Sequence, residues 1–393
     1  MKKIQEAQKY IKEMHLDGWL LYDFHGNNEL TRHFLEIPST KMTTRRFFYW
    51  IPAKGEPVKI VHAIEAEVLD HFPGEKRTFL SWQSLEAWLS KILKVAKKVA
   101  MEYSPKNAIP YISRVDAGTV DLIRSFGVDV VSSGDFLAYF TAVLSKEQGE
   151  SQIRAGKACD EIVNQAWKWI AEHIRQGKSL TEYDVQQKIL ADFKKRDLIT
   201  DHAPIVGVNA HSADPHYEPQ KDRSSPIRKG DFILIDLWAK EKGEGAVFGD
   251  ITRVGVAAEK ATKKQEEVFH IVRNAQKAAV ALIKSRFAHK QRIEGWEVDD
   301  AARKVIRDAG YGEFFIHRTG HSIEISLHGS GAHMDNLEMH DVRPILPGTC
   351  FSIEPGIYLP GEFGVRLEHD VYIHLDGTVE VTGGEQKEIV CLL

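Results

Sequence analysis

Ile4, Ala7, Ile11 and Met14 recur at helical spacing among charged residues, which predicts an amphipathic helix over MKKIQEAQKYIKEM. Behind it, short apolar runs (GWLLYD, RFFYWIP, PVKIVH, KVAMEY, VDVVSS) alternate with amphipathic stretches such as SLEAWLSKILKV and SRVDAGTVDLIRSF. That alternation predicts a layered α/β domain over the first third. From about Leu144 the periodicity becomes that of long helices. SKEQGESQIRAGKACDEIVNQAWKWIAEHIRQG is one, and a second begins at Thr181, where TEYD places an acid three residues after a capping threonine. A third begins at Thr262 in TKKQ and keeps apolar residues through Ile283; a fourth runs from about Trp296 to a C-cap at Gly310. The β-rich runs DFILID, DITRVGV, CFSIEP and LEHDVYI separate or follow these helices. Helices segregated from hairpin strands predict an α+β domain on a curved antiparallel sheet. The expected organisation is therefore an α/β domain over 1–143 and a larger α+β domain over 144–393.

Within the second domain, four acids fall into two look-alike hairpins. Asp236 and Asp250 lie in FILIDLWAKEKGEGAVFGDITRVGV, and Glu354 and Glu368 in CFSIEPGIYLPGEFGVRLEHDVYI, with the second acid fourteen positions after the first in each. An apolar strand that ends on a carboxylate must desolvate it, which is tolerable only beside a countercharge or a metal ion. Four such acids can share a pair of divalent cations. Strand alternation puts Arg366 on the face of Glu368 and turns Val365 and Leu367 away, so an arginine stands ready to orient that acid. The stretch HRTGHSIEISLHGSGAH between the hairpins offers His317, His321 and His328, at least one of which is expected to be a nitrogen ligand. The Phe and Ile of the wider segment EFFIHRTGHSIEISLHG, together with Gly320, argue against a helix through it. Hard oxygen donors with one imidazole suit Mn, Co or Zn at a two-metal hydrolytic site.

Composition narrows the classes. A length of 393 residues implies two domains, and a hydrophobic fraction of 43% with 27% charged is that of a soluble globular protein. With 52 basic against 56 acidic residues, net −4, there is no basic field for nucleic acid. No run approaches membrane-spanning length, and the N-terminal helix reads as neither signal peptide nor anchor. Cys159, Cys350 and Cys391 form an odd, scattered set without CxxC, pointing to a reduced, cytoplasmic setting. Cys350 shares the strand face of Glu354, but a small buried hydrophobe is the favoured reading. The loop NAHSADPHY before Glu218 reads from composition alone as a surface turn. There is no HExxH, GxSxG, Walker or dinucleotide motif.

The order Asp236, Asp250, His321, Glu354, Glu368, with His216 upstream and His317 and His328 flanking His321, resembles the pita-bread metallopeptidases, the group of methionine aminopeptidase, aminopeptidase P and prolidase. SIEPGIY followed by GVRLEHD carries the likeness, supported by NAHSADPHY and the RTGH block, over roughly Leu144 to the C-terminus. The first domain is similar to the creatinase-type N-domain of aminopeptidase P and prolidase. The resemblance implies that Asp236 chelates one metal, that Asp250 and Glu368 bridge both, and that His321 and Glu354 complete the second. It further implies that Glu354 accepts a proton from the attacking water, that His216, His317 and His328 hold the scissile carbonyl and the tetrahedral intermediate, and that Tyr358 and Arg366 support them. The implied protein is a homodimeric Xaa-Pro aminopeptidase with two divalent ions, Mn first, acting on peptides with proline second. The alternatives are an Xaa-Pro dipeptidase and a metal-dependent small-molecule hydrolase or lyase; a catalytically decayed binding module is disfavoured by the intact ligand set.

Three departures from the family's pattern stand out: KEKGEGAV lengthens the first hairpin, Trp238 stands where glycine is common, and Glu324 replaces a glycine usual after the metal histidine. Dipeptidase members tend to carry a carboxylate-binding arginine between the last histidine and the second glutamate hairpin. Here Gly329 to Val342 holds neither Arg nor Lys and Arg343 comes only afterwards, which favours an aminopeptidase accepting longer peptides.

Overall fold

The computed structural model describes residues 2–38 and 40–393 and divides the chain into two compact units, Met1–Thr141 and Ala142–Leu393. Among the described residues, no helix is long and apolar enough to cross a membrane.

In the first unit the elements run α1 (Lys2–Glu13), β1 (Gly18–Asp23), α2 (Glu29–Phe34), β2 (Phe47–Pro52), β3 (Val58–His62), β4 (Glu75–Phe79), α3 (Trp82–Leu93), β5 (Lys98–Met101), α4 (Ala117–Ser125), β6 (Asp129–Ser132) and α5 (Gly134–Thr141). The six strands form one sheet in the order β4-β3-β2-β1-β5-β6. β1 and β2, the central pair, are apolar runs because both their faces are covered, and they are buried almost throughout. The edge strand β4, EKRTF, is mostly polar and half open to water, so an apolar-run criterion passes over it. Ile4, Ala7 and Ile11 are the buried stripe of α1. The buried carboxylate of Glu102 accepts from Trp19, Asn28 and Thr31, which ties β5 to β1 and α2.

The second unit begins with α6 (Lys146–Arg175) and α7 (Glu182–Lys195), followed by β7 (Leu198–Ile199), β8 (Ile205–Val208), β9 (Phe232–Glu241) and β10 (Gly249–Val256). Then come α8 (Lys263–Ala288), α9 (Gly295–Asp308), β11 (Ser322–Ile323), β12 (Cys350–Ile353), β13 (Gly356–Leu359), β14 (Phe363–Arg366), β15 (His369–Ile373), β16 (Val379–Thr382) and β17 (Val390–Cys391). Reciprocal capping boxes start three of the helices: Ser145 with Gln148, Thr181 with Asp184, and Thr262 with Gln265. Gly310, with φ of +85°, follows the end of α9.

Antiparallel pairing dominates. β9 and β10 form a long hairpin flanked by β7, β8 and β17, while β11, β12, β15 and β16 make a second sheet. α6, through Cys159, Ile162, Val163 and Trp167, and α7, through Val185, Ile189 and Phe193, share one core with Ile233, Ile235, Leu237 and Ile251 of the first sheet. α8, through Val268, Phe269, Val272 and Ile283, and α9, through Val298, Ala302 and Ile306, share a core with the other strands. The two look-alike hairpins differ in build. Asp236 and Asp250 stand on directly paired strands, whereas β12 and β15 are joined by an inserted hairpin, β13–β14. Leu367 and Glu368 fall in the break between β14 and β15, where the Glu368 N–H donates to the Thr252 carbonyl of β10. The break brings the two acid-bearing hairpins together.

Candidate active site

Antiparallel register decides which side chains of the first hairpin meet. Asp236 lies opposite Thr252 and Trp238 opposite Asp250, so these four share one face. His321 comes from the residue before β11, whose N–H donates to Ser352 Oγ, and Glu354 leaves the end of β12 with its N–H on the Thr319 carbonyl. Gly320 is required between them, because a Cβ there would stand 1.9 Å from the Ser352 oxygen. Asp250, His321 and Glu368, all buried, offer atoms within 4.8 Å of one another. His321 Nε2 lies 3.6 Å from Asp250 Oδ2 and 3.4 Å from Glu354 Oε1. Arg366 draws the fourth acid in, with Nη2 2.5 Å from Asp236 Oδ2 and Nε 3.9 Å from Glu354 Oε2. Thr252 Oγ1 accepts from Arg366 Nε at 3.1 Å and donates to Glu368 Oε2 at 2.7 Å. The five sequence-derived ligand candidates thus converge, with Arg366 among them.

The electrostatics of this cluster call for more positive charge. Burial raises the pKa of Asp236 against the opposing pull of Arg366, and raises Asp250 and Glu368 well above the carboxylate range, with their acidic neighbours adding to both. Glu354 is pushed up to about 7 by burial, less what Arg366 takes back. Asp236 Oδ1 and Asp250 Oδ1 are buried and accept no hydrogen bond. Unpartnered buried carboxylate oxygens are costly, and cations would satisfy them without protonation. The imidazole fits the same purpose. His321 Nδ1 lies 3.2 Å from the Ser322 carbonyl, which can only accept, so Nδ1 carries the proton and the Nε2 lone pair faces the acids. Burial first, then His328 and Arg318, hold His321 well below its ordinary pKa and keep that lone pair free. The donor set fits divalent metal ions.

The remaining candidates divide. His317 Nδ1 lies 2.7 Å from the Arg318 carbonyl, so its Nε2, 2.7 Å from the Tyr358 hydroxyl, accepts from it. Burial and then Arg366 lower His317 to about 3, so it is neutral. Tyr358 in turn accepts from Arg366 Nη1 at 3.1 Å. His328 is accessible to solvent, with its ring edge-on to His321 at 4.3 Å between centroids. His216 is exposed, on a loop whose Pro215 carbonyl faces Arg366 Nη1. Burial raises the Cys350 thiol well above its ordinary pKa, and it packs with Leu144, Trp238 and Tyr372 as a hydrophobe.

Several supporting residues escape a motif-level reading. Thr252 joins Arg366 to Glu368, and Asp370 Oδ2 accepts from the Asp250 N–H and from Gln152 Nε2. Asp370 has the strand parity of Glu368, which was a legible signal. Arg318, buried inside the HRTGH block, acts electrostatically on His317, His321, His328 and Glu354. Glu182, the second residue of TEYD, is fully buried and accepts from the Val208 and Ser225 N–H groups, the Tyr217 hydroxyl and His211 Nδ1. It holds the loop that carries His216, a long-range role that local spacing cannot show. Arg343 is buried in a two-bonded pair with Asp341, and its third arm donates to the Ser330 carbonyl.

Comparison with known proteins follows the same residues. The chain is 31% identical over 245 residues to the Xaa-Pro dipeptidase of Lactobacillus delbrueckii subsp. lactis, a match covering 62% of this chain and 60% of that enzyme's length. Among solved structures, dipeptidase PepE from Mycobacterium ulcerans superposes with a TM-score of 0.73 at 23% identity, covering 100% of this chain and 97% of the other. A dipeptidase from Pyrococcus horikoshii OT3 gives 0.66 at 23%, covering 99% of each. These likenesses establish a shared fold, the pita-bread α+β architecture that the sequence resemblance implied. The model of metallopeptidase family M24 matches residues 152–374, a span that is more than half of the chain and holds all five acid and imidazole candidates, so the chain belongs to that family.

Proposed function

We propose that the protein is a two-metal exopeptidase that cleaves the bond between an N-terminal residue and proline. The observation that carries this reading is the convergence of Asp236, Asp250, His321, Glu354 and Glu368 with unpartnered aspartate oxygens at their centre. When bound, divalent ions supply Lewis-acid polarisation of a carbonyl and lower the pKa of a water nucleophile. Oxygen donors outnumber the imidazole four to one, which suits Mn, with Co or Zn as alternatives. In this reading Asp250 and Glu368 would help to hold both ions, Asp236 would hold one, and His321 and Glu354 would hold the other.

The chain's own groups do the rest. Glu354, hydrogen-bonded at Oε1 by Ser352 Oγ, takes the proton of the attacking water and returns it to the leaving nitrogen, a role supported by the burial that pushes its pKa upward. His328 and His216, accessible at the rim, present N–H groups to the scissile carbonyl and to the oxyanion that develops from it. His317 contributes through Tyr358, fixing the hydroxyl that Arg366 also holds.

Substrate length divides the reading. Arg343 is locked into Asp341 and Ser330, which leaves it unsuited to a substrate carboxylate and favours an aminopeptidase for peptides longer than two residues. The Xaa-Pro dipeptidase name of the Lactobacillus relative favours the other branch. Measuring kcat/KM for Ala-Pro and Ala-Pro-Ala with the Mn-loaded protein decides: we expect the tripeptide to be preferred. A clear preference for Ala-Pro assigns the dipeptidase branch, and no turnover across an Xaa-Pro panel at full metal content overturns the peptidase reading.

A further inference from the structure

The lengthened first hairpin, Trp238 and Glu324 are separate oddities in the sequence, yet in the fold they touch one loop, Ser322–Gly331, which carries His328. The Gly329 N–H donates to the Ser322 carbonyl at 2.8 Å and closes the base of that loop. Glu324 turns its carboxylate inward. Its Oε1 accepts from Ser322 Oγ at 3.0 Å, the Ser330 N–H at 2.7 Å and the Gly331 N–H at 2.9 Å, and Ser330 Oγ lies 3.3 Å from Oε2. The loop backbone rests so close on this carboxyl group that a Cβ at Gly329 would stand 2.4 Å from Glu324 Cδ.

The hairpin end backs the loop from outside. Phe248 donates its N–H to the Glu324 carbonyl, and Lys240 Nζ, 4.6 Å above the Phe248 ring, donates to the Ile325 carbonyl at 2.6 Å. Ile323 and Leu327 pack with Trp238, Val247 and Phe248, and the Trp238 indole N–H is fixed by Asp201 Oδ1 at 2.7 Å. Arg343 adds its bond to the Ser330 carbonyl. One acidic side chain inside the loop therefore satisfies two consecutive amides, those of Ser330 and Gly331, on the return arm two and three residues after His328, and everything outside the loop holds still what Glu324 has drawn in.

We propose that Glu324 is a positioning residue, a clamp that sets where the His328 imidazole stands beside His321. The proposal rests on the reading of His328 as a group that faces the substrate. A loop held by convergent bonds to one acceptor oxygen keeps its shape if that oxygen is retained and loosens if it is removed. Glu324→Gln keeps an acceptor where Ser322, Ser330 and Gly331 converge; Glu324→Ala removes it.

The test compares the two variants with wild type in the Mn-loaded protein, by kinetics on Ala-Pro-Ala and by hydrogen exchange at the loop amides. Glu324→Ala should lose roughly ten- to hundredfold in kcat, the scale of a misplacement of about an ångström, with KM and metal content little changed. Its Ser330 and Gly331 amides should exchange faster than in wild type, while Glu324→Gln should restore both the protection and most of kcat. Unchanged exchange in Glu324→Ala, a loss confined to KM, a loss of metal, or a Glu324→Gln variant as impaired as the alanine would each overturn the proposal. If wild type turns over no Xaa-Pro peptide, the functional reading has failed, and amide exchange in the two variants still judges the clamp.

Discussion

Arg366 and Thr252 show how single residues organise the candidate centre. The guanidinium touches Asp236, Thr252 and Tyr358, and the threonine hydroxyl passes the contact on to Glu368. Residue identity alone pointed to the acids, because an acid at the end of an apolar strand has no cheap explanation; among the three histidines only the family resemblance singled out His321. Residue identity could not separate His317 from His328. The structure separates them by a carbonyl: Arg318 C=O fixes the proton on His317 Nδ1 and so assigns Nε2 to Tyr358. At this scale the bridging assignment is testable. Glu368→Ala or Asp250→Ala should lower occupancy of both metals together, whereas His321→Ala should mainly empty one. Elemental analysis that finds two full metal equivalents in Glu368→Ala would exclude the assignment. Tyr358→Phe should lower kcat while leaving metal content intact, since the hydroxyl bonds to His317 and Arg366 and to none of the acids.

The elements place these residues by close backbone approach. α6 crosses β10 at Gly156 and Gly249, and a Cβ on Gly249 would stand 2.2 Å from the Gly156 nitrogen. Gly249→Ala should therefore destabilise the fold by about 1–3 kcal/mol, the usual cost of overpacking. It should also weaken metal binding, because Asp250 is the next residue; chemical denaturation and metal titration of the same variant check both, and an unchanged midpoint would show that α6 yields freely. Helix starts were readable because capping is local, as Thr181 with Asp184 and Thr262 with Gln265 show. Strand breaks were not. Nothing in GVRLEHDVYI marks the interruption at Leu367 and Glu368, which arises from pairing with three different partners: β13, β10 and β12.

For the whole molecule, the cluster of acids ties stability to pH and metal. The folded, metal-free protein holds Glu354 up to about 7 from an ordinary 4.5, with burial as the main cause, and raises Asp250 and Glu368 well above their ordinary range. An acid whose folded pKa is raised contributes stability that is present below the unfolded pKa and lost as pH rises through the folded one. Chelated protein should therefore lose stability between about pH 4.5 and 7 relative to Mn-loaded protein, where cations replace the protons. Thermal melts with and without chelator across that range check it, and a metal increment independent of pH would contradict it. Sequence by itself determined the α/β and α+β character of the two parts, the helix starts and the identity of the acids, because periodicity, capping and the cost of burying charge act on neighbouring residues. Tertiary structure alone decided that the acids face one another and that Glu182 holds the His216 loop. It alone decided too that Arg343 is consumed by Asp341, and that Trp238, Lys240 and Glu324 act on one loop. These facts depend on contacts between segments far apart in the chain, where register and packing, and not local pattern, choose the partner.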